Sequence, residues 1–188
     1  MEKQDFDLLL REETVEKKDI FEGRVLHLFC DTVKTANGIL STREYALHRG
    51  AVATLALDES ENVYLVRQYR YPIGRSTVEI PAGKLEVGES DTEAAARREL
   101  SEEIGATAKK MTPIGVYMPS PATCTERIYC YLAEGLSFGE THPDEDENLL
   151  TLKMPLAEAL ALVLNGSLED GKTLFALQKV FLLKHPIK

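Results

Sequence analysis

The stretch Gly83-Lys-Leu-Glu-Val-Gly-Glu89, followed by Arg98-Glu99-Leu-Ser-Glu102-Glu103-Ile-Gly105, decides how this chain is read. Glu99, Glu102 and Glu103 are spaced i, i+3 and i+4, so on a helix they share one face. Carboxylates placed in this way repel one another unless water screens them or a cation lies between them. Hard oxygen ligands suit magnesium or manganese, which bridge a protein carboxylate and a substrate phosphate. An isolated run of this kind is ordinarily a solvated acidic face. A glycine-bearing loop leads into the helix and Gly105 closes it.

The order of these parts (a glycine, a loop glutamate, an Arg-Glu-Leu triplet, a Glu-Glu pair and a final glycine) resembles the Nudix box. That resemblance implies a loop, a helix and a second loop, with Glu99, Glu102 and Glu103 as metal ligands. It adds the backbone carbonyl of Ala82 as a further ligand, and implies two or three Mg²⁺ or Mn²⁺ ions per site. One departure stands out: residues 90–97 place eight residues between Glu89 and Arg98, one more than the family's usual spacing. Ser90-Asp91-Thr92-Glu93 ahead of an alanine run offers alternative N-caps. If Asp91 caps, Ser90 is the inserted residue and the helix keeps Arg98 and its three glutamates in register. Only the reach of Glu89 toward Arg98 or the metal shell then changes.

With 188 residues and 44% hydrophobic content, the chain can build one core and a small appendage. Its formal charge of −9 argues against a protein whose task is gripping nucleic acid, and means that an anionic substrate needs local arginines. No apolar run approaches the roughly 18 residues that span a bilayer, and the first residues lack the apolar core of a signal peptide. The expectation is a cytoplasmic protein with no membrane or nucleic-acid partner. Cys30, Cys124 and Cys130 show no C-x-x-C spacing and read as reduced thiols. Cys124 reads as a small filler, since no histidine-plus-carboxylate pattern marks it as a nucleophile. His27, His48, His142 and His185 are scattered, and only His142 falls near the chemistry, with a surface role.

Along the chain, residues 22–34 and 39–47 alternate in polarity around Thr35-Ala-Asn37-Gly38, an Asn-Gly hairpin signal that calls for positive φ at both central residues. This small antiparallel unit, residues 1–47, is too small to bury much alone and needs a partner surface. Residues 48–188 form the main domain. Strands are expected over residues 51–57, 63–69, 77–80, 111–118, 128–133 and 151–154. A helix opens at Pro155 and closes at Asn165-Gly166. A last helix over residues 170–183 presents Leu174, Leu177, Phe181 and Leu182 to a core. The fold class is α/β, an α/β/α sandwich of Nudix type around a mixed β-sheet, with a small N-terminal antiparallel β unit.

Outside the box, the chain resembles the Nudix hydrolases that act on ADP-ribose and related sugar nucleotides. The resemblance rests on Gly23-Arg-Val, Ser41-Thr-Arg-Glu44, Gln68-Tyr-Arg-Tyr-Pro72, Glu79-Ile-Pro-Ala-Gly83, Ser120-Pro121 with Thr125-Glu126, and Asp144-Glu-Asp-Glu147. Pro121, 16 residues beyond Gly105, is a marker of the ADP-ribose branch. The resemblance implies that Glu126 faces the terminal ribose and that Glu145 is the general base for the attacking water, with Glu147 reaching a metal. It implies substrate contacts from Arg24, Arg43, Glu44, Arg49, Arg70, Lys84, Ser120 and Pro121. Ala122 stands where a glycine is frequent, and Arg49 where proline is.

The implied activity is metal-dependent hydrolysis of ADP-ribose, a nucleoside diphosphate substrate, to AMP and ribose 5-phosphate. A homodimer with exchanged N-terminal strands is implied with it. Two other readings stay open: a pyrophosphatase for another nucleotide sugar such as GDP-mannose, and a nucleotide-binding regulator without catalysis.

Overall fold

A computed structural model describes residues 6–142 and 148–186. The chain divides into two compact units, one of Met1–His48 with Ser120–Glu126 and one of Arg49–Pro119 with Arg127–Lys188. Among the described residues, no helix is long and apolar enough to cross a membrane.

The first unit opens with a short exposed helix, α1 (Phe6–Leu10), and continues as four antiparallel strands: β1 (Glu13–Glu16), β2 (Asp19–Glu22), β3 (His27–Lys34) and β4 (Leu40–Leu47). β3 is central, with β1 and β2 following one another along one edge and β4 on the other. The expected single strand over residues 22–34 is broken, because a turn closed by the Gly23 amide on the Leu26 carbonyl (2.8 Å) separates β2 from β3. The β3–β4 hairpin falls where the Asn-Gly signal put it, with different turn chemistry. Gly38 has positive φ and Asn37 does not. The Gly38 amide bonds to Thr35 O and the Thr35 amide to Ile39 O, so one left-handed glycine after a tight turn closes the loop. The segment Ser120–Glu126 lies beside β4 through Ala46 N to Thr123 O (2.9 Å) and Thr125 N to Ala46 O (3.0 Å).

The second unit is built on a seven-stranded mixed sheet. Its strands are β5 (Ala51–Leu57), β6 (Asn62–Arg70), β7 (Arg75–Glu79), β8 (Ala82–Lys84), β9 (Ala106–Tyr117), β10 (Ile128–Phe138) and β11 (Leu149–Pro155). The main path runs β11-β6-β5-β10-β9, in which only β5 and β10 are parallel. All seven residues of β5 are buried, the unbroken apolar run of a strand covered on both faces. Val52 and Ala56 pack with Ala95, Ala96, Leu100 and Ile104 of α2 (Thr92–Ile104). Ala53, Leu55 and Leu57 face the opposite way. There they pack with Leu156 and Ala159 of α3 (Leu156–Leu164) and with Ala176, Leu177 and Val180 of α4 (Gly171–Lys184). Helices on both faces of a mixed sheet make the α/β/α sandwich. The buried face of α4 is Lys172, Thr173, Ala176, Leu177 and Val180; Phe181 and Leu182, expected inside, are about two-fifths exposed.

One irregularity positions the site. β6 pairs with β5 only at Ala56–Tyr64 and Leu57–Val63, and β5 and β6 then diverge. Into the opening come β7, on Val66–Arg70 of β6, and β8, on Ala51–Ala53 of β5. The chain between them is tied to β5 by Thr54 N to Pro81 O (2.8 Å).

Candidate active site

Asp91 caps α2: its side chain accepts from the amides of Glu93 (3.1 Å) and Ala94 (3.0 Å). Ser90 is therefore left in the loop and the helix register from Arg98 onward is intact. Arg98 Nη1 donates to Glu99 (2.8 Å) and Glu102 (3.0 Å), and Nη2 to Glu89 (3.3 Å). Glu89 also accepts the Glu86 amide (2.9 Å), so the longer loop still brings it to Arg98. Burial works against the Arg98 charge, yet Glu99, Glu102 and Glu89 raise its pKa above the ordinary value. The guanidinium thus stays charged at the centre of a fan of carboxylates.

The other side of the site is main chain. Glu103, almost fully buried, accepts the Ala82 amide at 3.1 Å. Glu99 lies so close to Gly83 that a β-carbon there would stand 1.9 Å from the Glu99 carboxyl carbon. Only glycine allows that approach. At the far end of α2, Gly105 adopts the left-handed conformation (φ 64°) and its amide caps Leu100 and Ser101. The loop–helix unit therefore presses two of its three clustered glutamates against the β8 backbone whose Ala82 carbonyl was named as a ligand. Oxygen donors, negative charge and backbone at one place fit a hard divalent cation.

A second polar cluster underlies β7 and β8. Glu79, 2% exposed, takes a forked contact from Arg70 Nε (2.7 Å) and Nη2 (2.6 Å), a further bond from Lys172 Nζ, and one from the Thr77 hydroxyl. Lys172 also reaches Asp170 at 3.0 Å, and Asp170 is the N-cap of α4. Thr173, next in that turn, accepts the Ile80 amide at 2.8 Å. Burial pushes the Glu79 carboxyl up, but Arg70, Lys172 and Thr77 outweigh it and hold it down at about 2. Arg70, singled out for the substrate, is thus seated on Glu79. Lys84 and Arg49 are exposed.

The first unit holds the remaining described candidates. Arg43 donates Nε to Glu12 at 2.8 Å, and Glu44 and Arg24 are exposed. Ser120 and Pro121 are exposed in the segment beside β4, where Ser120 O accepts the amides of Thr123 and Cys124. Glu126 has His48 Nδ1 at 3.6 Å, and the His48 amide donates to Thr125 Oγ1 at 2.8 Å. Asp19, Glu22 and His27 bring one ligand atom each within 4.8 Å of one another; Asp19 and Glu22 are exposed, and Asp19 already binds the His27 ring. Glu145 and Glu147 lie outside the described residues.

Sequence reasoning gave no site role to Glu79, Lys172, Thr173 or His48, although Glu79 opens one of the quoted motifs. Glu79 and Thr173 were hidden because each meets a partner 93 residues away, Lys172 and Ile80 respectively. The one available signal was an acid and a lysine placed at otherwise apolar positions. Burial pushes the Cys130 thiol up to about 12, so it is no nucleophile at neutral pH.

A family model described as NUDIX domain matches residues 47–177. The chain is 44% identical over 171 residues to an ADP-ribose pyrophosphatase of Bacillus subtilis (strain 168), covering 90% of this chain and 92% of that one. It is 41% identical over 182 residues to a methanol dehydrogenase activator of Bacillus methanolicus, covering 94% and 98%. A crystal structure described as an ADP compounds hydrolase matches with a TM-score of 0.80 over 95% of this chain and 97% of that one. At 22% identity this is a likeness of fold.

Proposed function

Because the chain belongs to the Nudix family, we propose that it is a Nudix hydrolase that cuts the diphosphate of ADP-ribose, releasing AMP and ribose 5-phosphate. The observation that carries the reading is the packing of Glu99 and Glu103 against Gly83 and Ala82. Similarity to an ADP-ribose pyrophosphatase along nine-tenths of the chain supports the substrate.

Glu99, Glu102, Glu103 and the Ala82 carbonyl would hold magnesium or manganese, in two or three ions, which supply charge neutralisation at the diphosphate and a more acidic water. Glu145 would take the proton of the attacking water as general base. Glu147 adds to the metal shell. Arg70 and Arg43 offer planar forks that match phosphate oxygens, and Arg49, Arg24 and Lys84 add positive charge in an acidic protein. Glu126 accepts from ribose hydroxyls, with Glu44, Ser120 and Pro121 as further contacts. The first unit serves dimerisation: Val15, Ile20, Phe21, Val25 and Leu26 are each about half exposed, apolar area that a second copy would cover. A cytoplasmic setting is consistent with three free cysteines.

A second reading, favoured by the similarity to a methanol dehydrogenase activator, is a regulator that binds nucleotide without cleaving it. Incubation with Mg²⁺ and, separately, ADP-ribose, GDP-mannose, a diadenosine polyphosphate and NADH separates these cases. Release of AMP from ADP-ribose supports the proposal, preferred cleavage of GDP-mannose overturns the substrate, and no turnover of any compound leaves the regulator. Glu145→Gln should lose most activity while still binding Mn²⁺. An unchanged rate removes Glu145 as the base.

A further inference from the structure

Glu79 is a buried carboxylate contacted by two cations, one of which, Lys172, it shares with Asp170. Arg70 meets it through Nε and Nη2, and Lys172 meets the same Oε2 that Arg70 Nη2 binds. Two carboxylates, Glu79 and Asp170, thus face two cations, and the cations differ in exposure: the side chains of Glu79 and Lys172 are 2% and 9% exposed, whereas that of Arg70 is 42% exposed. Arg70 is therefore the member of the pair that an incoming anion can reach. Asp170 and Glu103 add to the field that keeps Arg70 charged.

We propose that Lys172 is a positioning residue: by holding the charge of Glu79, it lets Arg70 turn from Glu79 to a phosphate of the bound diphosphate without stranding a buried carboxylate. This rests on the reading above that Arg70 contacts the substrate. With Lys172 present, transfer of the Arg70 fork leaves Glu79 bound to an ammonium and to the Thr77 hydroxyl. Without it, Glu79 would hold Arg70 as its sole counter-ion, and the substrate would have to break a buried ion pair to engage the arginine. The Asp170 cap fixes Lys172 from the other side at 3.0 Å, so the ammonium cannot follow Arg70 outward.

The test measures KM and kcat for ADP-ribose in Lys172→Met, Glu79→Gln, the double variant and Arg70→Ala, with circular dichroism and thermal melting as controls of folding. Lys172→Met should raise KM about tenfold, with kcat falling less, as expected when a charged contact is withheld from the substrate. The double variant should bring KM back toward wild type, because a neutral amide in place of the Glu79 carboxylate no longer holds Arg70. A packing role for Lys172 gives the opposite result, a double variant at least as impaired as the single one. That result, or an unchanged KM in Lys172→Met beside a raised KM in Arg70→Ala, overturns the charge-holding role alone. An unchanged KM in Arg70→Ala overturns the substrate contact and the proposal with it. If Lys172→Met does not fold, Glu79→Gln by itself decides: KM at or below wild type supports the proposal, and a tenfold rise overturns it. If wild type does not turn over ADP-ribose, the substrate reading fails, and calorimetric binding of ADP to the same proteins replaces KM under the same criteria.

Discussion

At the scale of single residues, Gly83 and Glu79 carry the clearest consequences. Gly83→Ala puts a methyl group into the Glu99 carboxylate, so Glu99 must leave the β8 backbone. Activity should fall on the order of a hundredfold, as for a displaced catalytic group, while the melting temperature changes by only a few degrees. Steady-state assays and melting curves on the same sample check both. Glu79 has its pKa lowered from an ordinary value of 4.5 to about 2 in the folded protein. A depressed folded pKa gives stability that is present above the unfolded value and is lost as pH falls through the folded one. The shift corresponds to about 3 kcal/mol, draining away between about pH 5 and pH 2. Denaturant unfolding from pH 6 to pH 3 should show that decline, and Glu79→Gln should flatten it. Residues of this kind differ in legibility. Glu99, Glu102 and Glu103 announce themselves by spacing along one helix, whereas the role of Glu79 depends on Lys172, which no local pattern connects to it.

Elements were legible where their own residues dictate them. The run of apolar residues in β5 needed no partner to be read, and residues 90–93 marked the start of α2 while leaving open which of them caps it. Asp91→Ala should lower stability by about 1 kcal/mol, seen as a shift in the urea midpoint, because two first-turn amides lose their acceptor. The α2 register past Arg98 should survive, so kcat/KM should change less than twofold. Helix α4 was read in part: Leu174 and Leu177 reach the core, whereas Phe181 and Leu182 do not, since the buried stripe begins with Lys172 and Thr173, whose polarity disguises the apolar period continued by Ala176, Leu177 and Val180. The hairpin at Thr35–Gly38 was placed correctly, but its turn type follows from hydrogen bonds of the flanking backbone, which the pair Asn37-Gly38 does not dictate alone. β8, three residues long, is a strand only because β5 offers an unpaired edge beside it.

For the molecule as a whole, composition set the limits well: an acidic chain of pI about 5.0 with enough apolar residues for one sandwich core. It could not reveal that the segment Ser120–Glu126 belongs with β4 in the first unit while the chain on either side of it belongs to the second, because that pairing is made by backbone groups. The dimer proposed above gives sedimentation at twice 21.0 kDa. Phe21→Glu, at an exposed position of β2, should shift that boundary toward the monomer while thermal melting still shows a folded chain. The Ile80 amide and the Glu79 carboxylate are both anchored by the first turn of α4, the last of the described helices. That anchorage sets an order in time. A nascent chain can pair β5 with β6 early, but the backbone carrying Ala82 and Gly83 gains its far support only after residues 170–173 have left the ribosome. The support of the β8 backbone thus depends on a segment made long after it, and a chain halted before Asp170 would carry all of α2 yet lack that support.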